Sequence, residues 1–216
     1  MPLTVAVAGR PLVLWPQRAA FLPDHGLLLV ADVHFGKAQA FRRLGVPVPE
    51  ATTDANLEIL SALIERTQPR GLVFLGDLLH ARHGRSPATM AAIAEWRLRH
   101  GALAMRLVRG NHDSRAGDPP PDWCIDVVDE PFCVGPFALS HHPTPVAGAY
   151  VLAGHLHPAA MLGRGIDRLR LPCFHFGAGV GVLPAFGVFT GMHVITRQPG
   201  DQVYVVAHDD VRALPV

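Results

Sequence analysis

Three short apolar runs, separated by stretches of helical periodicity, constrain the fold of this chain more than any other feature. They cover residues 27–31, 72–75 and 103–108, and the only charged side chain within them is Arg106. Runs of this length without regular polar alternation are typical of strands buried on both faces of a parallel sheet. The first half of the chain therefore predicts a βαβα arrangement.

Helix and turn signals fill the gaps between these runs. Thr52 or Thr53 can cap one helix, and Ser86-Pro87 places a proline in the first turn of another. We expect Leu57, Leu60 and Ile64 to face the core from the first of these helices. The predicted elements are an opening hairpin over 3–15, a short helix over 35–43, a rigid connection over 45–49, and helices over 52–67 and 86–99.

The pattern changes after the three prolines at 119–121, where helical periodicity disappears. Short apolar runs separated by Gly and Pro follow at about 124–128, 131–139, 149–153, 166–171, 173–176, 191–196 and 202–206. They predict mostly antiparallel strands. Because 49% of the 216 residues are apolar, one domain spanning 1–216 can bury a large core. Two sheets packed face to face with helices outside would bury both sets of strands.

Two long uncharged stretches, residues 131–163 and 171–196, raise the question of a membrane span. Both are interrupted by Gly and Pro, and the first carries four histidines, which argues for buried strands and against a spanning helix. Residues 1–16 lack the pattern of a signal peptide. The three cysteines, Cys124, Cys133 and Cys173, are predicted to be buried free thiols, so we expect a cytoplasmic protein without a membrane partner.

Charge is balanced over the whole chain but not along it. The net charge of +1 does not predict a polyanion-binding molecule on charge alone. Residues 78–116 carry seven Arg against two acids, whereas 118–130 carry five acids and no base. This asymmetry permits a local basic face, and it also fits solvated surfaces of mixed sign.

Metal-ligating residue types follow several of the apolar runs. They occur in five elements in chain order: Asp32-x-His34, Gly76-Asp77, Gly110-Asn111-His112-Asp113, His141 and Gly154-His155-x-His157. Carboxylate, imidazole and amide donors without a thiolate suit Mn²⁺, Fe or Zn²⁺ in a non-structural site. There are too many donors for one ion, which favours two ions sharing a carboxylate. A single Asp-x-His or His-x-His occurs often by chance, so the prediction depends on the whole series.

This series resembles that of the calcineurin-like metallophosphoesterase superfamily over residues 27 to about 157. The resemblance implies a four-layer αββα sandwich with mixed sheets and a dinuclear metal centre. It places Asp77 between two ions and His112 beside the leaving group. The implied ligands are Asp32, His34, Asp77 and His157 for one ion, and Asp77, Asn111, His141 and His155 for the other. The choice of His141 over His142 rests on this resemblance.

Within that superfamily the chain resembles the bacterial ligase-associated phosphoesterases, which are implicated in DNA repair with a ligase and a helicase. The matching segments are LVADVHFGK (29–37), RRLGVPVP (42–49), HHP (141–143) and LPAFGVFTG (183–191). That family often has an acidic residue at the position of His142, so we assign His142 no role. The resemblance implies a DNA substrate and a functional association with a ligase and a helicase.

Two ions about 3.5–4 Å apart would clamp a phosphate ester and acidify a shared water, whose hydroxide attacks phosphorus. His112 would protonate or hydrogen-bond the leaving oxygen, an effect of about 10²–10⁴ in rate. Asp113 either orients His112 or caps the turn that follows. Lys37 and Arg42 either bind the substrate phosphate or lie on a solvated helix face. Mn²⁺ is the first expectation for the metal, with Fe or Zn²⁺ as alternatives.

The predicted function is a metal-dependent phosphodiesterase or nuclease that acts on DNA. A second hypothesis keeps the chemistry but changes the substrate to a phosphomonoester, a cyclic nucleotide or a nucleotide-sugar pyrophosphate. A third is a scaffold of the same fold without catalysis, and the complete set of ligand positions argues against it.

Overall fold

A computed structural model describes residues 1–43, 45–46, 48, 52–163 and 167–215. Seven strands form the first sheet, and they are arranged in chain order. The first four strands pair with one another in antiparallel orientation. The fourth to the seventh strands pair in parallel. The strands are β1 (Leu3–Val7), β2 (Arg10–Trp15), β3 (Ala19–Leu22), β4 (Leu27–Val30), β5 (Gly71–Leu75), β6 (Ala104–Val108) and β7 (Ile125–Val128). The predicted opening hairpin and the three parallel strands are confirmed.

The helices of the described residues lie between the parallel strands. They are α1 (Lys37–Arg43), α2 (Thr52–Thr67), α3 (Pro87–Arg99) and α4 (Asn111–Ala116), with short 3₁₀ helices at Arg82–Gly84 and Pro121–Trp123. The helix predicted to begin at Ser86-Pro87 is confirmed, and Ser86 caps it, since its Oγ accepts a hydrogen bond from the Thr89 amide at 3.2 Å. The predicted connection at 45–49 lies partly outside the described residues.

The second sheet contains the remaining strands and departs further from expectation. They are β8 (Phe132–Val134), β9 (Phe137–Leu139), β10 (Tyr150–Ala153), β11 (Pro158–Leu162), β12 (Leu169–Phe176), β13 (Val180–Val182), β14 (His193–Val194), β15 (Gln202–Ala207) and β16 (Asp210–Ala213). The run predicted at 131–139 is a hairpin of two strands, and those at 166–171 and 173–176 belong to the single strand β12, with residue 166 outside the described part. Strands β11, β13 and β16 were not predicted. The antiparallel prediction holds only in part, because β10 is parallel to both β9 and β13.

The core has one layer on each side of the first sheet. On the outer face, leucines of α2, including Leu57 and Leu60, pack against Leu72 and Phe74 of β5. Ile64 of α2 is only partly buried. A second cluster between the sheets joins strand residues of both. The predicted sandwich of two mixed sheets flanked by helices is confirmed. The described α-helices all fall between residues 37 and 116.

The two sheets meet at one edge, where parallel strands end. Ala31, just after β4, forms a parallel bridge with Ala185, and its carbonyl accepts a hydrogen bond from the Phe186 amide at 2.8 Å. Side chains that follow β4, β5, β6, β9 and β10 are therefore delivered to a shared crevice, which is where open α/β sheets bind ligands.

Opposite charges from the two biased stretches of sequence pair with each other. Arg106 contacts Asp126 at 3.2 Å, and Arg109 contacts both Asp118 and Asp129. The basic face that the sequence permitted is therefore partly neutralised by the acidic stretch that follows it in the chain.

The prediction of three buried thiols is wrong for two of them. Cys124 and Cys133 are exposed, and only Cys173 is buried, where burial raises the pKa of its thiol to about 12. All three are free. Among the described residues, no helix has both the length and the apolar character needed to cross a bilayer.

Candidate metal centre

Five of the seven predicted ligands have a left-handed backbone. The backbone φ angle lies between 48° and 70° at Asp32, His34, Asp77, His155 and His157. Residues other than glycine rarely adopt this conformation. Such residues persist when the surrounding structure fixes them, and they cluster at functional sites. Here the fixing comes from backbone bonds between loops, such as the one from the His34 amide to the Asp77 carbonyl at 2.9 Å.

Asp32 connects the two sheets and keeps one oxygen without a partner. Its side chain is fully buried, and its Oδ2 accepts a hydrogen bond from the His155 amide at 2.9 Å. Its Oδ1 has no hydrogen-bond partner and lies 3.5 Å from His157 Nε2. Because an unpaired buried carboxylate oxygen is unfavourable, this atom is what a cation site would leave open in a structure without the ion.

His34 and His157 point ring nitrogens at each other, with Nε2 atoms 3.4 Å apart. His157 Nδ1 donates to the Gly191 carbonyl at 3.1 Å, so its Nε2 presents a lone pair to the centre. Burial, followed by the nearby charge of Lys37, lowers the pKa of His34 and keeps the ring neutral. Together with Asp32 these histidines form a group whose donor atoms lie within 4.8 Å of one another. Converging lone pairs of this kind suit a metal ion.

A second group forms around His141, whose imidazole is fully buried. Its Nδ1 donates to the Leu75 carbonyl at 3.1 Å, which leaves Nε2 for the centre. That Nε2 lies 2.9 Å from Asn111 Oδ1 and 3.0 Å from His155 Nδ1. Burial is the main cause that lowers the pKa of His141, which favours the neutral ligand form.

Asp77 lies between the two groups. Its Oδ1 is 3.5 Å from His141 Nε2, and its Oδ2 is 3.8 Å from His34 Nε2. Gly110 permits this approach, because a Cβ on Gly110 would lie 2.4 Å from Asp77 Oδ1. The arrangement fits the bridging position that the family resemblance implies for Asp77.

Both carboxylate oxygens of Asp113 accept hydrogen bonds from backbone amides, and they do not contact His112. Its Oδ2 accepts hydrogen bonds from the amides of Asp77 at 2.7 Å and Gly110 at 2.9 Å, and its Oδ1 accepts one from Leu79 at 3.2 Å. These amides belong to Gly110, three residues earlier, and to the Asp77 loop, so the contacts match neither orientation of His112 nor a cap on the turn that follows. Burial raises the pKa of Asp113 to about 6, against the opposing effect of these hydrogen bonds. Asp113 therefore positions the Asp77 loop without facing the centre.

His112 lies at the start of α4. Its Nδ1 donates to the His80 carbonyl at 2.7 Å, and its Nε2 lies 4.0 Å from Asp77 Oδ2. The His80 ring stacks on it, with centroids 4.9 Å apart. His112 thus presents Nε2 to the centre, in a tautomer fixed by a backbone carbonyl.

The two predicted phosphate-binding cations occupy different places on α1. Lys37 lies close enough to His34 and His80 for its charge to lower their pKa values, that of His80 to about 4, although burial is the larger cause in both. Arg42 donates to Gln39 at 3.0 Å and lines a separate cleft of about 260 Å³ between α1 and the starts of α2 and α3. Only Lys37 borders the candidate metal groups.

Two contributors escaped the sequence analysis. His80, to which the sequence analysis gave no role, contacts the rings of His34 and His112, whereas His83 is exposed in the first 3₁₀ helix. Glu130 was missed entirely, although its carboxylate accepts hydrogen bonds from the amides of His141 and His142 at 2.8 Å each and pairs with His142 Nδ1 at 2.6 Å. Burial raises the pKa of Glu130, but these hydrogen bonds outweigh it and the net shift is downward. The sequence signal for Glu130 was its position two residues after β7, because β7 is a parallel strand like those that precede the predicted ligands.

Comparisons with known proteins agree with this geometry. The sequence profile of the calcineurin-like phosphoesterase family (Metallophos) matches residues 26–177. The crystal structure of nuclease MPE from Pseudomonas putida is 43% identical, with a TM-score of 0.89, and the match covers 99% of this chain and 100% of that one. This similarity is consistent with the ligase-associated subfamily.

Other comparisons add little. The phosphoesterase YfcE from E. coli is 16% identical over 85% of this chain and 88% of its own, with a TM-score of 0.39, too distant to support a conclusion. A search of curated proteins found no match. The family match spans well over half of the sequence and includes every predicted metal ligand, so this protein belongs to the calcineurin-like phosphoesterase family.

Proposed function

We propose that the protein is a dinuclear metal-dependent phosphodiesterase that cleaves DNA, with Mn²⁺ as the first choice of ion and Fe or Zn²⁺ as alternatives. The observation that carries the metal-dependent part is the convergence of open donor atoms around Asp32 and Asp77, including the unpartnered Asp32 Oδ1. The nuclease part is supported by the similarity to nuclease MPE along the whole chain.

The first ion would be held by Asp32, His34, Asp77 and His157, and the second by Asp77, Asn111, His141 and His155. The carboxylate, imidazole and amide donors fit divalent ions of the Mn²⁺, Fe and Zn²⁺ type. Two such ions would supply a hydroxide nucleophile at neutral pH and stabilise the negative charge of the phosphate.

The protein's own groups would then position the substrate and handle its proton. With Nδ1–H held by the His80 carbonyl, the doubly protonated ring of His112 would give its Nε2 proton to the leaving oxygen, and the neutral ring would remain. Lys37, next to His34, attracts the phosphate to the centre as a point charge. Arg42, in the neighbouring cleft, would contact a strand that extends beyond the scissile phosphate. Asp113 and Glu130 hold the loops that carry Asp77 and His141.

The test is hydrolysis of single-stranded, nicked and duplex DNA in the presence of Mn²⁺, Fe²⁺, Zn²⁺, Mg²⁺ or no metal. We expect cleavage that needs a divalent ion and is lost in Asn111→Ala, a variant that removes one ligand without adding charge. Asp201→Asn is the matched control, because it changes a buried aspartate outside the centre. No cleavage of any DNA with any ion, in protein that binds metal, would contradict the proposal.

A chromogenic phosphodiester and the corresponding monoester separate this proposal from the other substrate classes. Faster hydrolysis of the monoester would favour a phosphomonoesterase. DNA binding should also weaken as salt rises, because phosphate contacts release counterions. Metal analysis that finds an empty centre in protein prepared without chelator would favour the scaffold hypothesis.

The proposal includes a role in DNA repair together with a ligase and a helicase, which the subfamily resemblance implies. Purified ligase and helicase from the same organism can be mixed with the protein, and their effect on its cleavage of nicked DNA measured. An unchanged cleavage rate and no complex in light scattering would remove these partners.

A further inference from the structure

Four aromatic rings form a continuous series that leads from the metal centre to the surface. The His80 ring stacks on His112, the Phe41 ring lies 6.2 Å from His80, and the Phe189 ring lies edge-on to Phe41 at 5.5 Å. The series begins at the residue proposed to donate to the leaving oxygen. It ends at Phe189, which is 36% exposed to solvent.

Two other exposed apolar residues adjoin the rings at this end of the series. Val188 precedes Phe189 in the chain, and the amide of Val46 donates to the Phe41 carbonyl. Phe189 also lines a small pocket together with His34 and Lys37. A ligand that reaches both the proposed phosphate site and this ring would therefore have an anionic part and a flat apolar part.

The loop that carries Phe189, residues 187–191, is tied to the metal centre at both ends. At one end the Gly187 amide donates to the Asp32 carbonyl at 3.3 Å. At the other end the Gly191 carbonyl accepts the hydrogen bond from His157 Nδ1 at 3.1 Å. The ring is therefore held at a fixed position relative to two candidate ligands.

Two further contacts hold the same loop against α2 and the segment that follows β4. The Val188 amide donates to Oδ1 of the buried Asn56 at 3.2 Å. A Cβ on Gly187 would lie 2.5 Å from the Val33 carbonyl oxygen, so the loop approaches this segment more closely than another residue would allow. A loop fixed in this way can hold an exposed ring ready for a ligand at little entropic cost.

We propose that the exposed ring of Phe189, supported by Phe41, stacks on the nucleobase of the leaving nucleotide next to the scissile phosphate. This inference rests on the proposed function, in which the substrate is a nucleic acid. A nucleotide joins an anionic phosphate to a flat aromatic base, the combination that this surface requires. Stacking on an aromatic side chain tolerates every base, because each base has a π-face.

The experiment compares two fluorescent single-stranded oligonucleotides of equal length. One is all thymidine, and in the other a central run of thymidines is replaced by tetrahydrofuran abasic residues. Wild-type protein with Mn²⁺ should cleave the central linkages about tenfold or more faster when the bases are present. Phe189→Ala should cleave both strands at the slower, abasic rate, and Phe189→Trp should retain the preference for bases.

Binding without metal gives an independent measurement. In EDTA, fluorescence anisotropy should show tighter binding of the thymidine strand than of the abasic strand by wild type, but not by Phe189→Ala. Leu98→Ala, at an exposed leucine on α3, is the control for removal of a surface apolar side chain and should behave as wild type. Unchanged cleavage of the abasic strand by Phe189→Ala shows that the variant is folded.

The proposal is overturned if wild type treats both strands alike, or if Phe189→Ala keeps the preference for bases. These results differ from a failure of the proposed function, in which wild type with metal cleaves neither strand. In that event the binding comparison in EDTA still decides whether Phe189 recognises a base.

Discussion

A buried aspartate pairs with a partly buried histidine near each end of β10, and the two pairs differ in how their polar atoms are satisfied. At one end, Asp32 Oδ1 and His157 Nε2 lie 3.5 Å apart without a hydrogen bond. Near the other end, Asp201 Oδ2 contacts His175 Nε2 at 2.7 Å and also accepts the Gln198 amide at 2.8 Å.

The same residue types therefore serve two purposes. The Asp201 end is closed, because its donors and acceptors satisfy one another within the protein. The metal-centre end is open, because its nitrogens are held by carbonyls on the outside and its lone pairs converge on a space between them. A ligand site therefore differs from a structural pair less in its residue types than in having buried acceptor atoms without a hydrogen-bond partner in the protein.

The largest difference between the two ends should appear in catalysis. Asp77→Ala removes the carboxylate between both donor groups, so we expect the phosphodiesterase rate with Mn²⁺ to fall by about 10⁴ or more, which corresponds to several kcal/mol of transition-state stabilisation. Asp201→Asn should stay within about twofold of wild type. Equal losses in the two variants would show that the open end has no special role.

His112→Ala tests whether a group at the open end acts on the leaving oxygen. We expect a rate loss of about 10²–10⁴ with metal content unchanged, because His112 is not among the proposed ligands. Substrates with a better leaving group need less protonation, so the loss should shrink with them. A loss that is the same for good and poor leaving groups would contradict proton donation from His112.

Removal of metal should lower the stability of the protein only through the loss of ions from the candidate metal centre. Each bound Mn²⁺ at about 100 times its Kd should raise the free energy of unfolding by about 2.7 kcal/mol, since it binds the folded state. Asp32→Asn should lose the share of the first ion, which Asp32 would hold, and Asp201→Asn should keep the whole increase. Thermal unfolding with Mn²⁺ and with EDTA provides the measurement, and an undiminished shift in Asp32→Asn would place the ion elsewhere.

The smallest expected effect is a pH dependence at the closed end. Burial raises the pKa of Asp201, but hydrogen bonds from Gln198 and His175 outweigh it, so the net shift is downward. A carboxylate with a lowered folded-state pKa stabilises the protein above its unfolded value near 4 and loses that contribution as the pH falls below it. Asp201→Asn should cost about 1–3 kcal/mol at pH 7 and less near pH 3. A cost that is constant across this range would show that ionisation of Asp201 is irrelevant.

Most of the first sheet was predictable from the sequence. Buried parallel strands need uninterrupted apolar runs, and the helices between them carry their own caps and leucine stripes, so local pattern and final structure agree. The second sheet was less predictable. Gly135-Pro136 forms the turn between β8 and β9 inside what was predicted as one run, whereas Pro172 lies within β12 and resembles a strand end. The parallel pairing of β10 with its neighbours depends on long-range contacts that no local signal contains.

The candidate ligands were also predictable, because Asp and His directly after apolar runs are unusual in a core. Their division into groups, the left-handed backbone at five of them and the free Asp32 Oδ1 were not. The contribution of Glu130 and the choice of amides that Asp113 binds were hidden for the same reason, since both carboxylates act on backbone amides. A sequence does not show which amides a carboxylate will reach.

The sequence by itself determined the order of strands and helices in the first half and the chemical types of the donors, since both follow from local periodicity and residue identity. Only the tertiary structure decided which donors are satisfied by the protein and which remain open, and where the Phe189 ring lies relative to them. The physical reason is that satisfaction of a buried polar group depends on neighbours far away in the chain, which folding brings within hydrogen-bond distance.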